Sequence, residues 1–357
     1  MDAPVTSTAT GQITDTLEVI VLDVGHGNCA VVRDSDRCVV VDAPPGPTLF
    51  DELERCGITH IDHLVLSHSD LDHMGSAVKL LWDTRFIIGM IWYNPDGTKQ
   101  SKAWQNLARQ AYLRHREGRL LNGQRNLNTA STADLSFSNR VKIEVLHPDL
   151  EMATLGPSDA ATPLGRLTAN TLSAVLRISL QDNPAVLLPA DIDALALQRM
   201  ISLNADLKAH VLVFPHHGGK AKTSDSRQFA TAICQAVQPE FVLFSMARGG
   251  RFSNPDPEMV AGVRAARPQA HIACTQLSTH CHRETRLPTQ KAHLNLHAAA
   301  GSSAGSCCAG TVTIGLNGDG LHITPSPAQH KEFIQLLDRP LCRADVIPVP
   351  PPRPHVC

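Results

Sequence analysis

Apolar positions begin to alternate at Leu17. LEVIVLDVG and NCAVVRD read as the two strands of a hairpin, with Gly25 and Gly27 in the turn. CVVVDAP gives a third strand after the polar DSDR turn. From Thr48 to Cys56 the period becomes helical. Leu49, Phe50, Leu53 and Cys56 share one face, Thr48 stands at the N-cap and Gly57 where a C′ glycine belongs. IDHLVLSH is then a strand running into SDLDHMGS, SAVKLLWDT is helical, and RFIIGMIWY is a buried strand. Strands and helices alternating in this way predict an α/β layered fold.

Residues 95–128 are mostly polar, with a helix at Ala103 to Glu117. They read as an insertion or lid, with a plain surface helix as the alternative. VKIEVLHP is a strand and Glu151 to Thr168 a loop rich in small residues. TLSAVLRISL and PAVLLPAD form a hairpin about QDN. DIDALALQRMI, RQFATAICQAV and PEMVAGVRAA are helical; between and after them HVLVFPHH, FVLFSMA and HIACTQ are strands. TVTIGL and LHITP pair around NGDG. The expected division is a flexible N-terminus over 1–16, one layered domain over 17–326, and a C-terminal helix with a proline-rich tail over 327–357.

Composition narrows the function. With 43% apolar residues in 357, the chain can bury a large core. A formal charge of −2 excludes a polybasic wrapper of nucleic acid, and 4% aromatics argue against a stacking platform for single strands. No stretch of about 18 apolar residues predicts a membrane span. The first residues show neither a basic n-region nor an apolar h-region, so the expected location is cytoplasmic, where cysteines read as thiols or metal ligands. Histidine, the commonest metal ligand, is abundant at 18 residues.

Three motifs carry the chemistry, and each closes an apolar strand. The first is His68-Ser69-Asp70-Leu71-Asp72-His73. An extended backbone points His68 and Asp70 the same way, while Asp72 and His73 enter the next helix and project differently. The second is Asp191 in LLPADID, which also suits an N-cap. The third is the pair His216-His217 before Gly218 and Gly219, where glycines let the backbone approach a ligand. Singly, each has an ordinary reading as a capping, surface or core residue. Together they are specific, because ligand sites of layered α/β folds collect at such strand ends.

The set resembles the metallo-β-lactamase fold, whose usual signature is HxHxDH. The form with Asp second, HxDxDH, resembles the hydrolase domain of ComEC-like competence proteins. LDVGHGNCAVV, VVVDAP with Asp42, Asn170-Thr171-Leu172-Ser173, LLPAD and PHHGGKAKTS each resemble that family's motifs, in its order, from about Leu17 to Val263. The resemblance implies an αββα sandwich with a helical insertion and a cysteine-containing C-terminal extension. It implies two divalent ions: His68 and Asp70 on one, Asp72 and His73 on the other, Asp191 bridging. One of His216 and His217 completes the second ion. His216, which directly ends the strand, is favoured, and His217 is the alternate or a substrate-facing donor. Asn170 and Ser173 stand where the wider fold has a further histidine. Such an oxygen-rich set lets Mn²⁺ compete with Zn²⁺.

The implied activity is hydrolysis by activated water of a phosphodiester, in a nucleic acid or a nucleotide. Asp72 and His217 are the candidate catalytic residues. Asn170, Ser173, Lys220, Lys222 and Ser224 are candidate substrate contacts. A small ester or cyclic nucleotide is the alternative substrate. The alternative of another class is a zinc-stabilised binding module with a remnant site. Its zinc would sit at Cys274, Cys281, Cys307 and Cys308, which flank a Gly/Ser/Ala-rich loop and form a candidate structural Zn²⁺ site. Buried reduced thiols or a disulfide are the other readings of these cysteines.

Overall fold

The computed structural model describes residues 15–94, 96, 101–158, 160–221, 225–249, 253–283, 292–337 and 339–343. Strands β1 (Leu17–Val21), β2 (Ala30–Asp34), β3 (Arg37–Val41), β4 (His60–Val65), β5 (Ile87–Trp92) and β6 (Gln124–Arg125) come first. They alternate with helices α1 (Thr48–Arg55), α2 (Leu71–Met74), α3 (Ala77–Trp82) and α4 (Lys102–Arg116). The second half contains β7 (Val141–His147), α5 (Leu150–Leu155), β8 (Val175–Leu180), β9 (Asn183–Leu188), α6 (Ala194–Ser202), β10 (Val211–Val213), α7 (Ser226–Val237), β11 (Phe241–Phe244), α8 (Pro257–Ala266) and β12 (His271–Cys274). The hairpin β13 (Val312–Asn317) and β14 (Gly320–Thr324) and helix α9 (Pro327–Ile334) follow.

These strands make an eight-stranded sheet in the order β14-β13-β1-β2-β3-β4-β5-β6 and a six-stranded sheet in the order β12-β11-β10-β9-β8-β7. In the first, β3 to β6 run parallel; in the second, β9 to β12 do. The sheets face each other through one apolar layer. Val19, Val21, Val39 and Val41 of the first sheet share it with Ile143, Leu176, Ile178 and Val213 of the second. Their neighbours Ile20, Leu22, Cys38 and Val40 point the other way, into a layer shared with α1 and α3. Val242 and Phe244 likewise meet α7 and α8 on the far side of the second sheet. Both faces of each sheet are covered, which is why the strands read as continuous apolar runs rather than alternating ones. Each fully buried Val, Leu or Ile side chain contributes roughly 1.5–3 kcal/mol. The arrangement is the αββα sandwich.

Two local features differ from the sequence expectation. Thr48 lies inside α1, with Pro47 at the N-cap and no side-chain capping bond. The expected loop after Glu151 opens as helix α5, because Asp149 accepts from the Glu151 and Met152 backbone N–H groups. In the 95–128 segment, read as an insertion or lid, α4 buries Trp104, Leu107 and Ala111 in the outer layer, and β6 extends the first sheet. No described residue of this segment lines the large cavity at the strand ends.

Candidate metal centre

Parallel strands present their C-terminal ends on one edge, and both sheets bring theirs to the same place. Asp42 follows β3, residues 66–70 follow β4, Asp191 follows β9, His216 and His217 follow β10, and Ser245 follows β11. Residue 70 is extended (φ −82°, ψ 150°) and Asp72 and His73 lie in α2, so one short loop sends its side chains in two directions.

Asp72, His73, Asp191 and His217 each place a ligand atom within 4.8 Å of the others. His73 Nε2 lies 3.2 Å from Asp191 Oδ1, and His217 Nε2 lies 3.3 Å from Asp72 Oδ2 and 3.6 Å from Asp191 Oδ1. His216 sits at the other oxygen of the same carboxylate, Nδ1 to Oδ2 at 3.1 Å, with Asn170 Nδ2 3.3 Å from that nitrogen. The His68 ring lies 4.1 Å from the His73 ring, centroid to centroid and tilted by 52°, and its Nε2 is 3.8 Å from Asp70 Oδ2.

Polar neighbours behind the group fix the ring orientations. Asp42 Oδ2 accepts from His73 Nδ1 at 2.7 Å, and Ser67 donates its backbone N–H to Asp42 Oδ1 at 2.7 Å and its hydroxyl to Oδ2 at 2.9 Å. The carbonyl of Ser245 accepts from His217 Nδ1 at 2.9 Å. Each imidazole therefore turns its Nε2 toward the cluster, the usual orientation of a metal-ligating histidine. His26, on the β1–β2 turn, places Nε2 3.3 Å from Asp72 Oδ2.

The electrostatics are those of a carboxylate group awaiting positive charge. Burial raises the Asp191 pKa, yet His217, His73 and His216 outweigh it and hold the carboxyl well below its usual range. Asp72 is lowered in the same way: burial opposes, while His217 and His26 prevail. Burial would neutralise His73, but Asp191 and Asp42 keep its pKa well above the ordinary value. His68, by contrast, is pushed down to about 4 by burial and by His73.

The donor set fits a divalent cation. His68 Nε2, His73 Nε2 and Asp191 Oδ1 are buried atoms without a hydrogen-bond partner of acceptable geometry, all at the cluster. Unsatisfied buried polar atoms are costly, and an ion in the four-residue group would satisfy His73 Nε2 and Asp191 Oδ1 there.

Of the pair after β10, His217 joins the four-residue group and is 2% exposed. His216, favoured because it directly ends the apolar run, lies beside it at Asp191. The run does not end there as a strand: β10 stops at Val213. Pro215–Gly218 is a 3-10 turn in which His216 (φ 54°) and His217 (φ 55°) are both left-handed. Such strained backbone is typical of functional sites. Lys220 lines the cavity beside the cluster, of about 1130 Å³. Ser173 is fully buried and outside that lining, and Lys222 and Ser224 lie outside the described residues.

Cys274, Cys281 and Cys308 share one apolar layer, with Cys342 packed against it, but the four thiols do not meet as one ligand group. Cys307 Sγ faces Asp23 Oδ2 at 3.5 Å, whereas Cys308 Sγ faces His330 Nε2 at 3.2 Å. Cys274 and Cys281 pack in the apolar layer under α7 and α8. Among the described residues, the Asp72 group alone brings three or more such ligands together. The candidate structural zinc at Cys274, Cys281, Cys307 and Cys308 is thus not formed in this geometry. Burial raises the Cys274 and Cys308 pKa values well above normal, which keeps both as neutral thiols.

Sequence reasoning did not find the parts that position the ligands. Ser69 Oγ donates to the buried Asp96 at 2.7 Å, anchoring the loop between His68 and Asp70. Ser245 Oγ donates to the Gly27 carbonyl at 2.8 Å, tying the second sheet to the β1–β2 turn. No local signal marks either contact.

Comparison with known proteins follows the same lines. Residues 22–161 match the metallo-beta-lactamase superfamily. ComE operon protein 3 of Bacillus subtilis (strain 168) is 23% identical over 213 residues, 59% of this chain; the match spans 23% of that protein's length. Among solved structures, Igni18, a metallo hydrolase from the archaeon Ignicoccus hospitalis, aligns over 71% of this chain and 94% of its own, with 16% identity and a TM-score of 0.42. Human tRNase Z, short form, aligns over 63% and 92%, with 12% identity and a TM-score of 0.38. No helix among the described residues is long and apolar enough to cross a membrane. Residues 22–161 thus match the metallo-beta-lactamase superfamily, and the two facing sheets, with the HxDxDH loop, Asp191 and His217 meeting at their common edge, are consistent with that fold.

Proposed function

We propose that this protein is a metal-dependent phosphodiesterase working through two divalent ions, Zn²⁺ or Mn²⁺. The observation that carries the reading is the convergence of Asp72, His73, Asp191 and His217, with buried unpartnered atoms on His68, His73 and Asp191. His68 and Asp70 would hold one ion and Asp72, His73 and His217 the other, with Asp191 shared and His216 against its second oxygen. Two such ions polarise a phosphoryl oxygen and lower the pKa of a water.

The residues of the chain do the rest. Asp42 and the Ser245 carbonyl hold the His73 and His217 rings in their ligating orientation. Asp72 Oδ2 lies between His217 Nε2 and His26 Nε2 and opens on the cavity, where it orients the attacking water by accepting a hydrogen bond from it. Lys220, in the cavity wall, supplies positive charge to a phosphate oxygen.

Within this class, a small phosphodiester fits better than a long nucleic acid. Asp225, Asp256 and Glu258 share the cavity wall with Lys220 and Arg227, and Glu258 is paired with Arg227, so the wall is mixed in charge and a poor lining for a long polyanion. The late arginines are also committed to backbone carbonyls: Arg248 to Leu277 and His282, Arg264 to Ala270, and Arg267 to Pro239. Among the described residues these three do not form an open basic track; Arg251 lies outside the described residues.

Hydrolysis of bis(p-nitrophenyl) phosphate with Mn²⁺ or Zn²⁺ tests the reading. The wild type should turn it over, and Asp72→Ala should lose about 10²-fold or more. Equal rates, or no hydrolysis by either, would overturn it.

A further inference from the structure

The chain after β11 closes one side of the large cavity, next to the His216–His217 turn. Three hydrogen bonds fix residues 253–256 there. The Asp256 N–H donates to the Gly218 carbonyl at 2.8 Å, Ser278 Oγ donates to the Asn254 carbonyl at 2.8 Å, and His280 Nε2 donates to the Ser253 carbonyl at 3.0 Å. Pro255 is buried against Gly218, where a Cβ would come within 2.7 Å of the proline Cβ.

Asn254 is thereby set beside the ligand turn. Gly219 leaves room for its side chain: a Cβ at 219 would lie 3.2 Å from Asn254 Oδ1 and 3.4 Å from His216 Cδ2. The amide is therefore close to the imidazole that meets Asp191. The backbone carbonyl of Asn254 is engaged by Ser278, whereas its side-chain amide has no hydrogen-bond partner among the described residues. Oδ1 is the amide atom next to Gly219, and Nδ2 carries two donors. Lys220, the residue after Gly219, lines the same cavity. An ammonium and an uncommitted amide thus stand on either side of Gly219, beside the ligand group.

We infer that Asn254 touches the substrate and donates Nδ2–H to a non-bridging oxygen of the scissile phosphate group. The inference rests on the phosphodiesterase reading of the metal centre and adds a catalytic residue to it. The bonds that fix residues 253–256 hold the donor in place before substrate arrives. A donor fixed in advance needs no reorganisation as charge builds on the oxygen, which is how a single hydrogen bond comes to matter for rate.

Hydrolysis of bis(p-nitrophenyl) phosphate with Mn²⁺ or Zn²⁺ by wild type, Asn254→Ala and Asn254→Asp tests this. In Asn254→Ala, kcat/KM should fall about tenfold or more, with metal content and melting temperature as in the wild type. Asn254→Asp should lose at least as much, because it keeps the shape but replaces a donor by an acceptor carrying the charge of the phosphate. Unchanged kcat/KM in both variants would overturn the inference and leave the phosphodiesterase reading intact. So would full activity in Asn254→Asp alone, which would make the side chain a filler of space, or a loss in Asn254→Ala matched by loss of metal, which would make it a support of the ligands. No hydrolysis by the wild type would remove the phosphodiesterase reading itself, and this inference with it.

Discussion

Asp42 holds His73: the carboxylate accepts from Nδ1 at 2.7 Å, and both side chains are shut away from solvent. Asp42 adopts φ 63°, outside the region its strand neighbours use, so the chain accepts strain to aim this oxygen. Replacing it by Asn keeps the shape but removes the charge that steadies the ring. Asp42→Asn should bind metal about 10–100-fold more weakly, read by competition with a chromogenic chelator. Unchanged affinity would show that the His73 ring is held without it.

His216 and His217 separate by consequence. His217→Ala should lose about one metal equivalent, because it removes a nitrogen from the ligand group. His216→Ala leaves that group complete and should retain more metal under the same dialysis. Elemental analysis of both variants distinguishes them, and the reverse order would exchange their roles.

Gly27 approaches the metal loop backbone to backbone. It adopts φ 130°, and a Cβ there would lie 2.3 Å from the Asp72 carbonyl oxygen. Gly27→Ala should cost about 1–3 kcal/mol of stability by urea denaturation and lower metal content, since the loop must shift to make room. A variant of wild-type stability and metal content would show that the loop moves freely.

Acid sensitivity should come partly from His330. It is fully buried, and burial, then His271 and His293, lower its pKa from 6.5 to about 3. Between those values the unfolded chain binds a proton that the folded chain refuses, so stability falls as pH drops from 6.5 toward 3. His330→Gln should flatten the dependence of unfolding free energy on pH between about 7 and 4. An unchanged slope would move the effect to other groups. Glu52 acts lower: burial opposes, but His297, Arg55 and the Ala298 N–H bring its pKa to about 2, so its contribution fades only as pH falls from 4.5 toward that value.

What could be read along the chain is what local pattern encodes. The apolar runs before Asp42, His68, Asp191 and His216 are buried strands, and the residue types at their ends locate the site. The choice between His216 and His217 could not be read, because both lie in a left-handed turn beyond the end of β10 rather than on the strand itself. The arrangement of the cysteines was not legible either. Gln276 pairs with Cys307 across an antiparallel bridge, so Cys307 and Cys308 turn to opposite sides, one to Asp23 and the other to His330. Contacts such as His297 with Glu52, 245 residues apart, leave no trace in sequence spacing. They depend on the segment before β13 crossing α1, which only the assembled fold determines.

Metal stoichiometry tests the central claim most directly. Wild-type protein loaded with Zn²⁺ or Mn²⁺ and gel-filtered should carry about two ions per chain by elemental analysis. Asp191→Ala, which removes the carboxylate both ions would share, should carry fewer than one. A wild type that retains none, or an Asp191→Ala variant that retains the full complement, would contradict the account.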